Sequence, residues 1–484
     1  MADGDQTDDA TLLKSLYDRA LSRVADVPRS DGNAVRLMRD ASENYPVWLA
    51  AIAGAKRTVH IENYMIVEDG VGRAFAGALI EAARRGVRVR VLYDWLGCWS
   101  RTSRHFWGRL RAAGVALRAY NPPRFGSPLG WISRDHRKLL VIDGEIAFAG
   151  GLCIGRDWVG DSARGVPPWR DTAVEVRGPA VAQLQAAFAD SWAETGAPLP
   201  TEDAVAPEAA PSAGHVGLWV IPGQPGNTSL FRVEQLVVAL AERRLWIADA
   251  YFVASSAHVD ALCRAAAQGV DVRLLVPGSS DLPLVRAVSR SSFRPLIESG
   301  VRVFEWNGPM MHAKTAVADG CWSRVGSSNS NLSSWIVNRE LDVAVIDRAF
   351  AHQMEAMFEH DIERSTEIVL DLGRIRRAAP ATPRRRGAQR ARSGAVGRLL
   401  AGAVGAGSVV GAVLSQQRAL GPAEALMLAT TGTLLLALAM VVVMAPVAIA
   451  YALALAGGWV GATLLARAWT LRAGRRAEGD GELP

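Results

Sequence analysis

Two short segments carry the residues best suited to chemistry. One is DHRKLLVIDGEIAFAGG, with His136, Lys138 and Asp143; the other is MHAKTAVADGCWSRVGSSN, with His312, Lys314 and Asp319. Both read His-x-Lys-x-x-x-x-Asp, and seven residues beyond each Asp comes a small-residue turn, Gly150-Gly151 or Gly326-Ser327. Side chains alternate along a strand, so a histidine and a lysine two residues apart project to the same side. Each segment therefore presents one imidazole and one ammonium to one pocket. An imidazole titrates near neutrality and can serve as nucleophile, proton donor or proton acceptor. An ammonium can clamp an anion. A single His-x-Lys would carry little weight, but two copies in register within a duplicated chain are hard to obtain by chance.

The duplication itself is legible. AKRTVHIENYMI, ALIEAARRGVRVRVLYD and LRAAGVALRAYNP in the first half correspond to ERRLWIADAYFV, ALCRAAAQGVDVRLLVP and LIESGVRVFEWNG in the second. Each series reads strand, amphipathic helix, strand, helix, strand. Gly86, Gly114, Gly269 and Gly300 stand where a helix ends in a left-handed residue. Val-rich, almost wholly apolar strands alternating with helices predict an α/β fold of two duplicated halves, with helices covering sheets that are mostly parallel where crossovers connect them. Continuing the repeat lays PWRDTAVEV over NRELDVAV, which sets Asp171 opposite Glu340, each after an arginine and each opening an apolar strand.

The expected organisation is an acidic N-terminal segment over 1–32, a first half over 33–194, a Pro/Ala-rich linker over 195–214 and a second half over 215–373. An Arg-rich stretch over 374–398, a hydrophobic region over 399–470 and a short tail over 471–484 follow. From Arg374 onward there are 14 arginines against Glu424, Glu478, Asp480 and Glu482, so the net charge of +6 divides into +10 for this end and −4 for residues 1–373. A slightly acidic body offers no broad phosphate-tracking surface, and a nucleic-acid partner is not expected. Residues 425–466 form a 42-residue run without charge. A span needs about 20 apolar residues, so this run suffices for a C-terminal transmembrane helical segment, with two spans preferred. Flanking arginines place both ends on the cytoplasmic side. The acid-rich start MADGDQTDDATLL does not read as a secretory signal, so the catalytic halves are expected at the cytoplasmic face of the cell membrane. Cys98, Cys153, Cys263 and Cys321 lie far apart and read as isolated thiols, with neither a disulfide nor a thiolate metal site.

With its paired H-x-K-x-x-x-x-D segments, the chain resembles the phospholipase D superfamily over roughly residues 33–360. Within it, ENYMIVEDGVGRAFAGALIEAARRGVRVRVLYD, DHRKLLVIDGEIAFAGGL, WRDTAVEVRGPAV and MMHAKTAVADGCWSRVGSSN resemble the bacterial cardiolipin synthases and related phosphatidyltransferases. The resemblance implies two phospholipase D-like halves with the site between them and no cofactor or metal. It implies catalytic roles for His136, Lys138, Asp143, His312, Lys314 and Asp319, with Asp171 and Glu340 orienting the imidazoles. Substrate contacts are implied for Gly151, Ser327 and Asn329. One departure stands out: the first turn reads GGLC, so Cys153 occupies the place the family usually gives to Asn. The implied reaction transfers a phosphatidyl group from one phosphatidylglycerol to another through a phosphohistidine. Hydrolysis of phospholipid to phosphatidic acid by the same histidines is the alternative. The Arg-rich stretch supports an anionic lipid partner on separate grounds, because each basic residue near an anionic surface contributes about 1 kcal/mol.

Overall fold

In the computed structural model, the described residues are 19–123, 133–203, 211–371, 374–377 and 458–459. Apart from 121–123 and 458–459 they form one compact unit. The linker residues 204–210 and the Arg-rich and hydrophobic stretches beyond 377 lie outside them, save for 458–459, so the expected membrane spans do too. Among the described residues no helix is long and apolar enough to cross a membrane.

The first half contributes β1 (Ser30–Arg39), β2 (Thr58–Asn63), β3 (Arg88–Asp94), β4 (Ala116–Tyr120), β5 (Lys138–Ile142), β6 (Ile146–Gly150) and β7 (Thr172–Arg177). The second contributes β8 (Val216–Gly223), β9 (Arg244–Ala248), β10 (Asp271–Pro277), β11 (Arg302–Trp306), β12 (Thr315–Ala318), β13 (Trp322–Gly326), β14 (Glu340–Ile346), β15 (Ser365–Asp371) and β16 (Arg374–Arg377). All sixteen join in the order β16-β15-β11-β10-β9-β12-β13-β14-β8-β1-β7-β6-β5-β2-β3-β4. Read outward from the β1–β8 junction, the two halves repeat the same order. The sheet is mixed: β2, β3 and β4 are parallel, as are β9, β10 and β11, while the other described pairings are antiparallel. The parallel strands are those joined by helical crossovers, as the sequence predicts. The Arg-rich stretch expected from Arg374 begins within the sheet, since Arg374–Arg377 pairs with Ser365–Asp371.

The crossovers form for local reasons. The Asp69 side chain accepts from the Val71 and Gly72 N–H groups and caps the helix Gly70–Arg84, whose Phe75, Leu79 and Ala82 turn inward. Ser255 caps Ser256–Ala267 through the His258 N–H, and Val259, Leu262 and Ala265 are buried there. Past these helices Gly86 and Gly269 take φ of +89° and +97°, and Gly114 and Gly300 take +89° and +95°.

Two apolar layers cover the outer faces of the halves, and a third lies between them. In the third, Val141, Val174 and Val176 meet Val325, Leu341 and Val343, together with the helices Ala180–Glu194 and Arg348–Glu363. Strands β6 and β7 pack on β13 and β14. Burying each of these aliphatic side chains stabilises by about 1.5–3 kcal/mol, so the halves are joined by a shared core as well as by β1–β8 pairing. The linker is anchored too: Asp203 is buried in an ion pair with Arg90 at 2.6 Å and accepts from Arg88 Nε at 2.7 Å.

Asp143 and Asp319 act in this framework. Both take positive φ, +54° and +50°, and each precedes a glycine of positive φ in the turn that reverses β5 into β6 or β12 into β13. The Asp143 carboxylate accepts from the backbone N–H groups of Lys56, Arg57 and Thr58 at 2.9, 2.7 and 2.8 Å. Asp319 does the same for Glu242, Arg243 and Arg244 at 3.0, 2.8 and 2.9 Å. They stand at the far ends of strands that begin at Lys138 and next to Lys314. Through these hydrogen bonds both aspartates fix where β2 and β9 enter the sheet. Replacing Asp143 by Ala should lower unfolding stability by about 2 kcal/mol, from loss of charge-assisted hydrogen bonds. Turnover per folded molecule should stay within a few-fold, as denaturant titration paired with kinetics on the same sample would show.

Candidate active site

His136 and Lys138 enter β5, and His312 and Lys314 enter β12, where two backbone crossings join the halves. The His136 N–H donates to the Arg339 carbonyl at 2.9 Å, and the His312 N–H to the Arg170 carbonyl at 2.7 Å. Each crossing sets a histidine of one half beside the carboxylate of the other. His136 Nδ1 lies 2.9 Å from Glu340 Oε2, and His312 Nδ1 lies 2.7 Å from Asp171 Oδ2. All four residues are buried or nearly so.

The carboxylates are held in turn. Asp171 accepts from Trp158 Nε1 at 2.7 Å and from the Thr172 N–H at 2.8 Å. Glu340 accepts from the Ser327 hydroxyl at 2.6 Å and the Ser334 hydroxyl at 2.7 Å. Burial pushes both carboxyls up, but the facing histidine and these donors outweigh it and hold both below the ordinary range. An ionised carboxylate only accepts, so each Nδ1 carries the proton and each Nε2 lone pair points away from the carboxylate. Burial, then the Lys314 charge, lowers His312 to about 3, and burial lowers His136 as well. Both imidazoles are neutral at pH 7.

The lysines complete one site. Each ammonium donates to the carbonyl of the histidine two residues before it. The Lys314 charge acts on His136, and the Lys138 charge acts on His312, so the two pairs lie within electrostatic reach of one another. Burial lowers Lys314 to about 8. The arrangement offers two neutral imidazoles with free Nε2 atoms and two cationic donors, suited to a tetrahedral anion.

A protein-family model described as "Cardiolipin synthase, PLD-like domain" matches residues 48–191 and 237–362. The chain belongs to this family. It is an enzyme of the phospholipase D superfamily, a phosphatidyltransferase or phosphodiesterase. It is similar to the cardiolipin synthase of Alkalihalophilus pseudofirmus, at 32% identity over 74% of this chain and 72% of the relative. It is similar also to cardiolipin synthase A of Pseudomonas putida, at 34% identity over 72% and 73%. The crystal structure of Haemophilus influenzae phosphatidylserine synthase shares the fold, with a TM-score of 0.56 at 14% identity over 72% of this chain and 91% of that one.

The remaining residues expected in this family's site fall unevenly. Gly151 has no room for a side chain: a Cβ would stand 2.0 Å from Asp171 Oδ1, so the glycine permits the carboxylate to reach His312. The Ser327 hydroxyl, expected to meet substrate, instead donates to Glu340 and accepts from the Leu341 N–H at 2.9 Å. Asn329 is buried, and its Oδ1 has no partner among the described residues. Cys153 is buried, and both lysine charges act on its thiol, which burial pushes up. The amide on one side thus faces a weak donor on the other.

Several participants were not foreseen. Tyr64 packs edge-on against His136, with ring centroids 5.0 Å apart, and lies under the Lys138 ammonium at 5.3 Å. Tyr251 does the same for His312 and Lys314, at 6.0 and 5.8 Å. Both tyrosines stand in matched strand ends, NYM and AYF, where the repeat could have exposed them. Arg170 anchors its half to the other through Asp361, with Nε 2.9 Å from Oδ1. Arg339 reciprocates by donating to Asp190 and Glu194 and, at 3.0 Å, to Ser191.

Nitrogen-15 spectra of selectively labelled protein should show the His312 ring neutral, protonated at Nδ1 and unchanged from pH 8 down to about 5. A free histidine would titrate near 6.5. In D171N the carboxylate that holds this tautomer is gone, and the Nδ1 signal should move toward that of the other tautomer.

Proposed function

We propose that the chain is a phosphatidyltransferase of the cardiolipin synthase type, moving a phosphatidyl group from one phosphatidylglycerol to a second. The observation that carries this reading is the pair of crossed contacts, His136 with Glu340 and His312 with Asp171, beside two lysines. The names and coverage of its relatives support the lipid substrate.

In the proposed sequence, Nε2 of one histidine attacks phosphorus and a P–N bond forms as the P–O bond to the departing glycerol breaks. The other histidine, having taken up a proton, gives it to the alkoxide, so glycerol leaves neutral. That histidine then removes the proton from a hydroxyl of the second phosphatidylglycerol, whose oxygen attacks phosphorus. The P–N bond breaks and frees the attacking histidine, while the other returns its proton to solvent, balancing the one it first took up. Lys138 and Lys314 neutralise the non-bridging oxygens throughout, and the Asn329 amide oxygen, without a partner among the described residues, accepts from a headgroup hydroxyl. The Asp171 and Glu340 carboxylates stabilise each imidazolium as it forms. Asp143 and Asp319 have no part in these steps. We place the catalytic halves at the cytoplasmic face of the membrane, with anionic phospholipid as partner.

Purified protein given phosphatidylglycerol in vesicles should yield cardiolipin and glycerol in equal amounts, resolved by mass spectrometry and enzymatic glycerol assay. H136A and H312A should each lower the rate by at least about 10³-fold. Phosphatidic acid as the main product would instead make water the acceptor and refute the transferase reading.

Lys314 sets the alkaline limit. Its folded pKa is lowered to about 8, so the ammonium is complete below that value and lost above it. The kcat/KM profile, which reports the free enzyme, should therefore fall with rising pH through about 8. K314R should remove this fall, whatever activity it retains, because guanidinium does not deprotonate in that range.

A further inference from the structure

Six large hydrophobic side chains are exposed among the described residues, and four of them belong to loops that build the site: Trp99 at 48%, Val159 at 49%, Leu332 at 45% and Ile336 at 38%. Strands β3 and β6 run in the direction of β2, and β13 in the direction of β9, so the loops after them leave each half at one edge. That edge is where the histidines sit. Trp99 follows Gly97, whose Cα packs against the Tyr64 carbonyl, and it stacks on Trp95 with centroids 5.7 Å apart. Val159 follows Trp158, which donates to Asp171 and meets the His312 ring edge-on at 5.4 Å. Leu332 and Ile336 flank Ser334, which donates to Glu340. Each exposed side chain is thus at most two residues from one that touches the site, and together the four draw on both halves. The fixed inner residue explains each outer one: its backbone cannot turn inward without displacing the site.

We propose that these four residues form an apolar rim that enters the interfacial layer of an anionic phospholipid bilayer and seats the cleft on it. The inference rests on the lipid substrate proposed above, whose phosphodiester lies at headgroup depth, so the mouth of the cleft must meet the bilayer for the bond to reach Nε2. The composition suits that partner. Between Trp95 and Arg104 there are two arginines and no acid, between Ser327 and Asn338 there is no charged residue, and around Val159 Arg156 and Arg164 balance Asp157 and Asp161. Tryptophan favours the headgroup level, and leucine and isoleucine the layer beneath it. A rigid protein partner would demand one continuous patch, whereas the four side chains come from three separate loops of the two halves, which a fluid surface can accommodate.

Two measurements on the full chain test this. Vesicles of phosphatidylglycerol with brominated acyl chains should quench tryptophan emission of the unmodified protein by more than that of W99F, whether or not any product forms. No difference between the two would overturn the proposal. In the second, W99S/I336S should turn over vesicle phosphatidylglycerol at least about tenfold more slowly, while its rate on monomeric short-chain phosphatidylglycerol stays within about twofold. Equal losses on both substrates, or no loss on vesicles, would overturn it. Quenching without turnover of either substrate by the unmodified protein would refute the functional reading and support the rim.

Discussion

The hydrogen bond from an imidazole of one half to a carboxylate of the other is the constraint on which the rest of the structure depends. A histidine Nδ1 must stay within about 3 Å of its carboxylate to fix the tautomer, and here each partner comes from a different copy of the repeat. The halves consequently cannot slide or hinge against one another without breaking both contacts at once. Much of the molecule can be understood as enforcing that registry. The β1–β8 pairing, the apolar layer between β6–β7 and β13–β14, and the backbone crossings at His136 and His312 all oppose the same displacement.

The arginines at 170 and 339 make the registry stricter. Arg170 lies next to Asp171 and reaches Asp361 in the helix of the second half; Arg339 lies next to Glu340 and reaches Asp190 and Glu194 in the helix of the first. Both are buried, and a buried guanidinium without its carboxylate is strongly destabilising. Any shift that loosened a histidine from its carboxylate would also strip the adjacent arginine of its partner. The ion pairs add little to stability by themselves, since desolvation offsets much of their attraction. Their effect is to make the correct docking of the halves the one arrangement in which no charge is left alone.

What could be read from the sequence, and what could not, follows from the range of each signal. Strand and helix order was legible because the apolar periodicity and the glycines at 86, 114, 269 and 300 act within a few residues. The histidines, lysines, Asp171 and Glu340 were legible because duplication presents each twice. Duplication is blind to crossing, however: aligned copies show that Asp171 matches Glu340, but not that Asp171 serves His312. It is blind also to what a repeated residue touches, as with Asp143 and Asp319. They recur because both halves need the same turn, and their carboxylates act on the backbone of strands some 80 residues earlier in the chain. Tyr64 and Tyr251 recur for the opposite reason, close contact with the site, and passed unnoticed within apolar strand ends.

The transfer proposed above sets a duplicated site a chemical difficulty, because passage through a covalent histidine needs one imidazole to attack while the other moves a proton. Two identical environments would give two identical titrations. The structure departs from symmetry where this matters. His312 is walled by Trp158, Trp169 and Tyr251, with the indole N–H of Trp158 on its carboxylate. His136 meets Tyr64, and its carboxylate takes two serine hydroxyls. Aromatic walls exclude water and oppose charge on the ring they enclose, whereas hydroxyl dipoles can reorient as charge develops. Asn329 after β13 and Cys153 after β6 carry the difference into the matching turns. The backbone frame is thus two-fold, while the shell around each histidine is not, and it is the shell that lets equivalent residues take unequal parts.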